Sequence, residues 1–160
     1  MRGSIRDRDP GGGRACRGGG PDGGAGGLRV AREVSSKFRI CLRRGSQAAG
    51  SRAGYRWGGA GPGSFDCSGL TMMAWARAGV QLLHYTGYQW EEGPHVPLNE
   101  LQRGDLLFYA TNTSDPSTIH HVAIYIGNGM MVNAPHTGAF VRIDSMYAPG
   151  GLIGAVRPAG

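Results

Sequence analysis

The sequence predicts an α+β domain in which one helix packs on a small antiparallel β-sheet. The run LTMMAWARAG, residues 70–79, has the composition and length of a buried helix that ends near Gly79. Short runs rich in β-forming residues follow later in the chain at 106–110, 121–136, 139–143 and 152–156. An early helix followed by several late strands favours α+β over alternating β/α architecture.

The chain divides into two parts of different composition. Residues 1–50 contain eleven of the basic residues, four acidic ones and 13 of the 30 glycines, a Gly/Arg-rich composition that predicts a largely disordered segment. Residues 51–160 contain six arginines and seven acidic residues, so this part is close to neutral although the whole chain carries +6. We therefore expect an N-terminal segment over 1–50 and a folded domain over 51–160.

Composition also excludes several classes of function. The excess of positive over negative charge is confined to the first 50 residues, so the composition of the folded part gives no indication of a nucleic-acid partner. No apolar run approaches the ~20 residues of a membrane span, and no apolar stretch of a secretory signal follows the first arginines. The odd count of cysteines, Cys16, Cys41 and Cys67, predicts at least one free thiol and leaves open whether the first two pair.

Cys67 is the candidate nucleophile. It follows Asp66, a good N-cap residue, at the predicted start of the helix, where the helix dipole and free N–H groups favour a thiolate and an oxyanion. The glycine-rich turn GGAGPGSFDCSG, residues 58–69, leaves room for a substrate carbonyl. A cysteine that merely fills the core is about equally probable on composition, but it needs none of this context.

Two histidines are the candidate partners of the thiol. Asn128 and Gly129 predict a two-residue type I′ hairpin turn, which pairs residue 127 with residue 130 and puts His121 opposite His136 on one face. His121 can then act as the base and His136 can orient it. His84, His95 and His120 are interpreted as ordinary surface or hydrogen-bonded residues, and residues 80–97 as an ordered loop.

Other chemistries are less well supported. Zinc held by Cys67, His121 and His136 is admissible, but no two of these residues have the close spacing of a zinc motif, and we expect neither a metal nor another cofactor. The glycine-rich turn lacks the Lys and Ser/Thr of a phosphate-binding loop, and no G-x-S-x-G serine motif occurs.

Three blocks in order, YRWGGAGPGSFDCSGL, LQRGDLLFY and HHVAIYIGNGMMVNAPH, resemble the NlpC-type cell-wall cysteine peptidases over residues of about 54–157. The resemblance implies a reduced papain-like α+β core. It also implies that Cys67 is the nucleophile, His121 the base and His136 the orienting residue. Tyr55 matches a tyrosine beside the nucleophile that helps to bind substrate or oxyanion, and Asp66 and Ser68 match positions that shape the turn and the substrate cleft.

The function implied by the resemblance is hydrolysis of peptidoglycan stem peptides, typically between D-γ-glutamate and a diamino acid, by a secreted or cell-envelope enzyme. A related thiol amidase or acyltransferase is the alternative within enzymes. A non-catalytic wall-binding module is the alternative outside them, although all three candidate catalytic positions hold competent residues.

Overall fold

The computed structural model describes residues 53–158. The segment over 1–50, with Cys16 and Cys41, therefore lies outside the described residues. In chain order the elements are β1 (Gly54–Tyr55), β2 (Ser64–Phe65), α1 (Cys67–Ala76), α2 (Thr86–Trp90), β3 (His95–Val96), β4 (Leu106–Ala110), a 3₁₀ turn (Pro116–Thr118), β5 (Ile119–Gly127), β6 (Met130–Asn133), β7 (Arg142–Ser145) and β8 (Leu152–Val156).

Six of the strands form one antiparallel sheet in the order β3-β8-β4-β5-β6-β7. The two-residue strands β1 and β2 pair in parallel as a separate small sheet beside the start of α1. This arrangement of one main helix on an antiparallel sheet confirms the predicted α+β class.

The central strand β4 is apolar throughout because both faces of the sheet are covered there, and all five of its residues are buried. On one face, Trp75 of α1 packs with Phe108 and Val122. On the other face, Leu107 and Tyr109 pack under loops. The helix α1 therefore packs on the face of the sheet formed by β4 and β5.

Two local predictions are wrong in detail. Residues 80–97 were expected to be a loop, but Gln89 is fully buried and donates from Nε2 to the carbonyls of Leu83 (2.7 Å) and Ser68 (3.0 Å), which stabilises the short helix α2. The strand expected over 139–143 begins at Arg142, because the preceding backbone bonds to β1 and the residue before it instead of to β6. The strands over 106–110 and 152–156 are confirmed.

The β5–β6 hairpin has the predicted turn but not the predicted register. Asn128 and Gly129 both have positive φ, 56° and 68°, as a type I′ turn requires, and Gly127 pairs with Met130. Gly127 itself has φ 92°, and a bulge before it inserts one extra residue in β5, so that Tyr125 pairs with Met131 and Ile124 with Val132. Beyond the bulge every pair is therefore shifted by one residue.

Of the helices in the described part of the chain, none has the length and apolar character needed to cross a membrane.

Candidate active site

Cys67 is the first residue of α1, and its position is set by the helix cap before it. Asp66 has extended backbone geometry and its Oδ1 accepts from the N–H of Gly69 at 2.7 Å, which is the bond expected of an N-cap aspartate. The predicted cap is thus present. Because capping leaves the Cys67 backbone at the positive end of the helix, a developing anion at this point is stabilised.

The same carboxylate ties three segments of the chain together. Its Oδ2 accepts from the Gly58 N–H at 2.7 Å, and Oδ1 lies 2.8 Å from His84 Nε2. Gly69 allows this close assembly, because a Cβ there would collide with the backbone oxygen of Gly59. His84, interpreted from sequence as a surface or hydrogen-bonded residue, is hydrogen-bonded to the helix cap.

The thiol of Cys67 is buried among donors that favour its ionised form. Its Sγ lies 3.8 Å from Oγ1 of Thr86 and close to the backbone N–H groups of Val122 and Ser68. Burial is the larger effect and raises the pKa of the thiol above its ordinary value, with hydrogen bonding opposing it. The contact with the backbone of Val122, the residue that follows His121, also places the thiol beside β5.

Tyr55 is the last residue of the strand β1. Burial raises the pKa of its hydroxyl first, and the negative charges of ionised Cys67 and Asp66 raise it further. The phenol therefore lies within electrostatic range of the thiol, and the place of Tyr55 beside the nucleophile stays a prediction. At neutral pH the tyrosine stays a hydrogen-bond donor.

Asp66 and Ser68 are buried at the start of α1. Ser68 is 6% exposed and its hydroxyl donates to Asp66 Oδ1 at 3.3 Å. The side chains of both residues are thus engaged within the turn and the first helical turn. In this position they hold the turn and the first turn of α1. Their predicted role in shaping the substrate cleft stays a prediction.

His121 is the buried histidine of β5. Only 8% of it is exposed, and burial lowers the pKa of its imidazole to about 4, with the neighbouring His120 adding to this effect. A hydrogen bond with the side chain of Asn133 acts in the opposite direction. Its ring centroid lies 5.6 Å from that of Tyr109. At neutral pH the imidazole is therefore uncharged and able to accept a proton.

The predicted pairing of His121 with His136 is wrong. The extra residue at the hairpin bulge shifts the register, so the position facing His121 would be Pro135, and β6 ends at Asn133 before either residue is reached. His136 is exposed, and its Nδ1 lies 2.9 Å from the carbonyl of the next residue, Thr137. One inserted residue thus turns a histidine expected in the site out to the surface.

Asn133, not His136, is the side chain that hydrogen-bonds His121. In the observed register it continues the β6 face that Met131 occupies, diagonal to His121, and it is 1% exposed. It is a polar residue at the end of the otherwise apolar run MMVN, and a buried amide in an apolar strand needs polar partners. That contrast was the signal in the sequence that could have identified it.

Among residues 53–158, no three His, Cys, Asp or Glu side chains are grouped so that they could hold a metal ion. The zinc alternative required His136 beside His121, which the register does not give. The described residues place a thiol at a helix N-terminus against the backbone of β5, and within β5 a buried, uncharged imidazole that hydrogen-bonds a buried amide. A thiol, a base and an orienting amide are the types of group that nucleophilic catalysis on a carbonyl uses.

Comparison with known proteins agrees with this geometry. The profile of the NlpC/P60 family matches residues 52–151. Peptidoglycan endopeptidase RipA of Mycolicibacterium smegmatis is 42% identical over 106 residues, which are 66% of this chain and 20% of RipA. A probable endopeptidase p60 of Listeria seeligeri is 42% identical over 96 residues, 60% of this chain and 17% of p60. The chain therefore spans about a fifth of these relatives.

Solved structures show the same fold. A crystal structure of an NlpC/P60 family protein from Bacillus cereus superimposes with a TM-score of 0.69 and 30% sequence identity, covering 81% of this chain and 40% of that one.

Proposed function

The chain belongs to the NlpC/P60 family, and from that premise we propose that it is a cysteine peptidase that hydrolyses peptidoglycan stem peptides. The observation that carries the proposal is the Cys67 thiol, which stands at the capped start of α1 and against the backbone of Val122, the residue after His121. The endopeptidase names of RipA and p60 support the reaction class and the substrate.

Acylation begins from an uncharged pair, because burial raises the pKa of Cys67 and lowers that of His121 to about 4. His121 takes the thiol proton as Sγ attacks the scissile carbonyl carbon. The resulting oxyanion is stabilised by the Cys67 backbone N–H at the helix N-terminus and by the Tyr55 hydroxyl. When the C–N bond breaks, the imidazolium gives its proton to the leaving amine.

Deacylation repeats the sequence with water. His121 removes a proton from the attacking water, the C–S bond of the thioester breaks, and the proton returns to Cys67 Sγ. Asn133 orients the imidazole throughout by accepting its second ring N–H, the role first assigned to His136. Asp66 and Ser68 act on the cleft by holding the turn and the first turn of α1.

The bond that we propose is the amide between D-γ-glutamate and the diamino acid of the stem peptide, which follows from the family resemblance. Action on this polymer places the enzyme in the cell envelope or outside the cell. The thiol chemistry also serves a related amidase or acyltransferase, which differs only in the amide attacked or in an amine replacing water as the acceptor.

The decisive experiment is digestion of purified muropeptides by the full chain, with mass spectrometry of the new termini. We expect a new γ-glutamyl carboxylate and a free diamino acid amine. Cys67→Ala should abolish both products, whereas the matched variants Cys16→Ala and Cys41→Ala should retain them. Cleavage that survives Cys67→Ala would refute the mechanism, and products joined to an added amine would identify an acyltransferase.

A further inference from the structure

A chain of polar side chains runs from His121 across the hairpin to the edge strand β7. Asn133 donates from Nδ2 to Oδ2 of Asp144 at 3.0 Å. Arg142 donates from Nε to the same oxygen at 2.7 Å. Met131 of β6 pairs with Asp144, so the carboxylate is the diagonal neighbour of Asn133 on that face.

The carboxylate decides which end of the Asn133 amide faces the histidine. An asparagine side chain has an oxygen that accepts and a nitrogen that donates, and the two ends have nearly the same shape. An ionised carboxylate only accepts, so it bonds the nitrogen and leaves the Asn133 oxygen for the imidazole N–H. Without Asp144, nothing in this chain of bonds would prevent the amide from turning over.

We propose that Asp144 is a positioning residue that, through the Asn133 amide, holds His121 in one tautomer and one orientation. The inference rests on the proposed function for its consequence in catalysis, but its structural content concerns only three side chains. Asp144 does not touch the substrate; it acts on the base through a residue that is 1% exposed.

Asp144 has the charge that this role needs. Burial alone raises the pKa of its carboxyl, but hydrogen bonds from Arg142 and Asn133 outweigh burial and bring the pKa below its usual value. Two donors, Arg142 and Asn133, hydrogen-bond the Asp144 carboxylate. Around His121, the ring of Tyr109 lies nearby, the side chain of Asn133 hydrogen-bonds the imidazole, and the neighbouring His120 acts on it through its charge. At neutral pH the carboxylate accepts from both of its neighbours.

The test is Asp144→Asn, which keeps the shape and allows either end of the new amide to face Asn133. We expect the ring-nitrogen NMR signals of His121 to change from one tautomer to a mixture of two. We expect kcat to fall about tenfold while KM stays within about twofold, since outer partners of a functional histidine typically matter at this level.

Two further variants separate positioning from folding. The double variant Asn133→Asp, Asp144→Asn reverses the order of amide and carboxylate. The carboxylate at 133 can then only accept from the imidazole N–H, and the amide at 144 can donate to the carboxylate at 133. We expect a single tautomer again and kcat within about threefold of the wild type. Arg142→Gln breaks the Arg142–Asp144 pair but keeps the acceptor for Asn133, and we expect one tautomer and unchanged kcat.

The proposal is overturned if Asp144→Asn keeps a single tautomer, if the double variant fails to restore it, or if Arg142→Gln produces the same mixture. Should Asp144→Asn not fold, as judged by thermal melting, the double variant and Arg142→Gln still decide the question. If the wild type cleaves no muropeptide but the variants show the expected changes in the His121 tautomer, the proposed function is refuted and the positioning role of Asp144 stands.

Discussion

The two halves of the candidate site differ in what determines the partners of their central residues. In the nucleophile half, residues 55–86, Asp66 bonds Gly69 three residues later and Gly58 eight residues earlier. In the histidine half, formed by β5, β6 and β7, Asn133 and Asp144 are 11 residues apart and meet only through strand pairing. The helix cap of the first half follows from local rules, although the contact of Asp66 with His84, 18 residues away, does not. In the second half, one inserted residue at a bulge reassigns the partners.

Removing the carboxylate at the centre of the nucleophile half should have the largest effect on stability. Asp66→Ala deletes the helix cap and the bonds to Gly58 and His84, so we expect a loss of about 3 kcal/mol in the free energy of unfolding. Asp115 caps an exposed 3₁₀ turn by accepting from Ser117 N. Asp115→Ala is the matched control, and an equal drop in melting temperature for both variants would contradict the role given to Asp66.

Acid should destabilise the fold through the histidine half. Burial lowers the pKa of His121 from 6.5 to about 4, so the unfolded chain binds a proton in this interval that the folded chain does not. Stability is then full above pH 6.5 and is lost as the pH falls towards 4, by about 3 kcal/mol. Urea unfolding at several pH values measures this. His121→Gln should flatten the curve in that interval, and the exposed neighbour His120→Gln should keep it.

The corrected register can be tested directly with two side chains. Asn133→Ala removes the acceptor of the imidazole N–H, and we expect kcat to fall about 10- to 100-fold. His136→Ala changes an exposed residue beyond the end of β6, so its kcat should stay within about twofold of the wild type. If His136→Ala were the inactive variant and Asn133→Ala the active one, the unbulged hairpin would be the correct structure.

The smallest effect is expected at the bulge itself. Gly127 has φ 92°, so Gly127→Ala forces a side chain into the left-handed region at a cost of about 1–2 kcal/mol. Gly63, where an added Cβ meets open space and φ is ordinary, is the matched control, and Gly63→Ala should leave the melting temperature nearly unchanged. A neutral Gly127→Ala would indicate that the bulge can be removed without strain.

The sequence by itself determined the α+β class, the capped helix start at Cys67 and the Asn128-Gly129 turn. Each depends on residues close together in the chain: runs of helix-forming or strand-forming residues, an aspartate before a helix, and two residues that accept positive φ. Such signals can be interpreted without knowing what lies across the fold.

Only the tertiary structure decided which residue stands beside His121 and what holds it there. The bulge at Gly127 is a local event whose consequence appears several residues away, where it exchanges Pro135 for His136 opposite the histidine and brings Asn133 within reach. Strand alternation has a period of two, so a shift of one residue changes every partner along the ladder. The contacts of Asp66 with His84 and of Asn133 with Asp144 join separate segments, and the sequence alone holds no record of those distances.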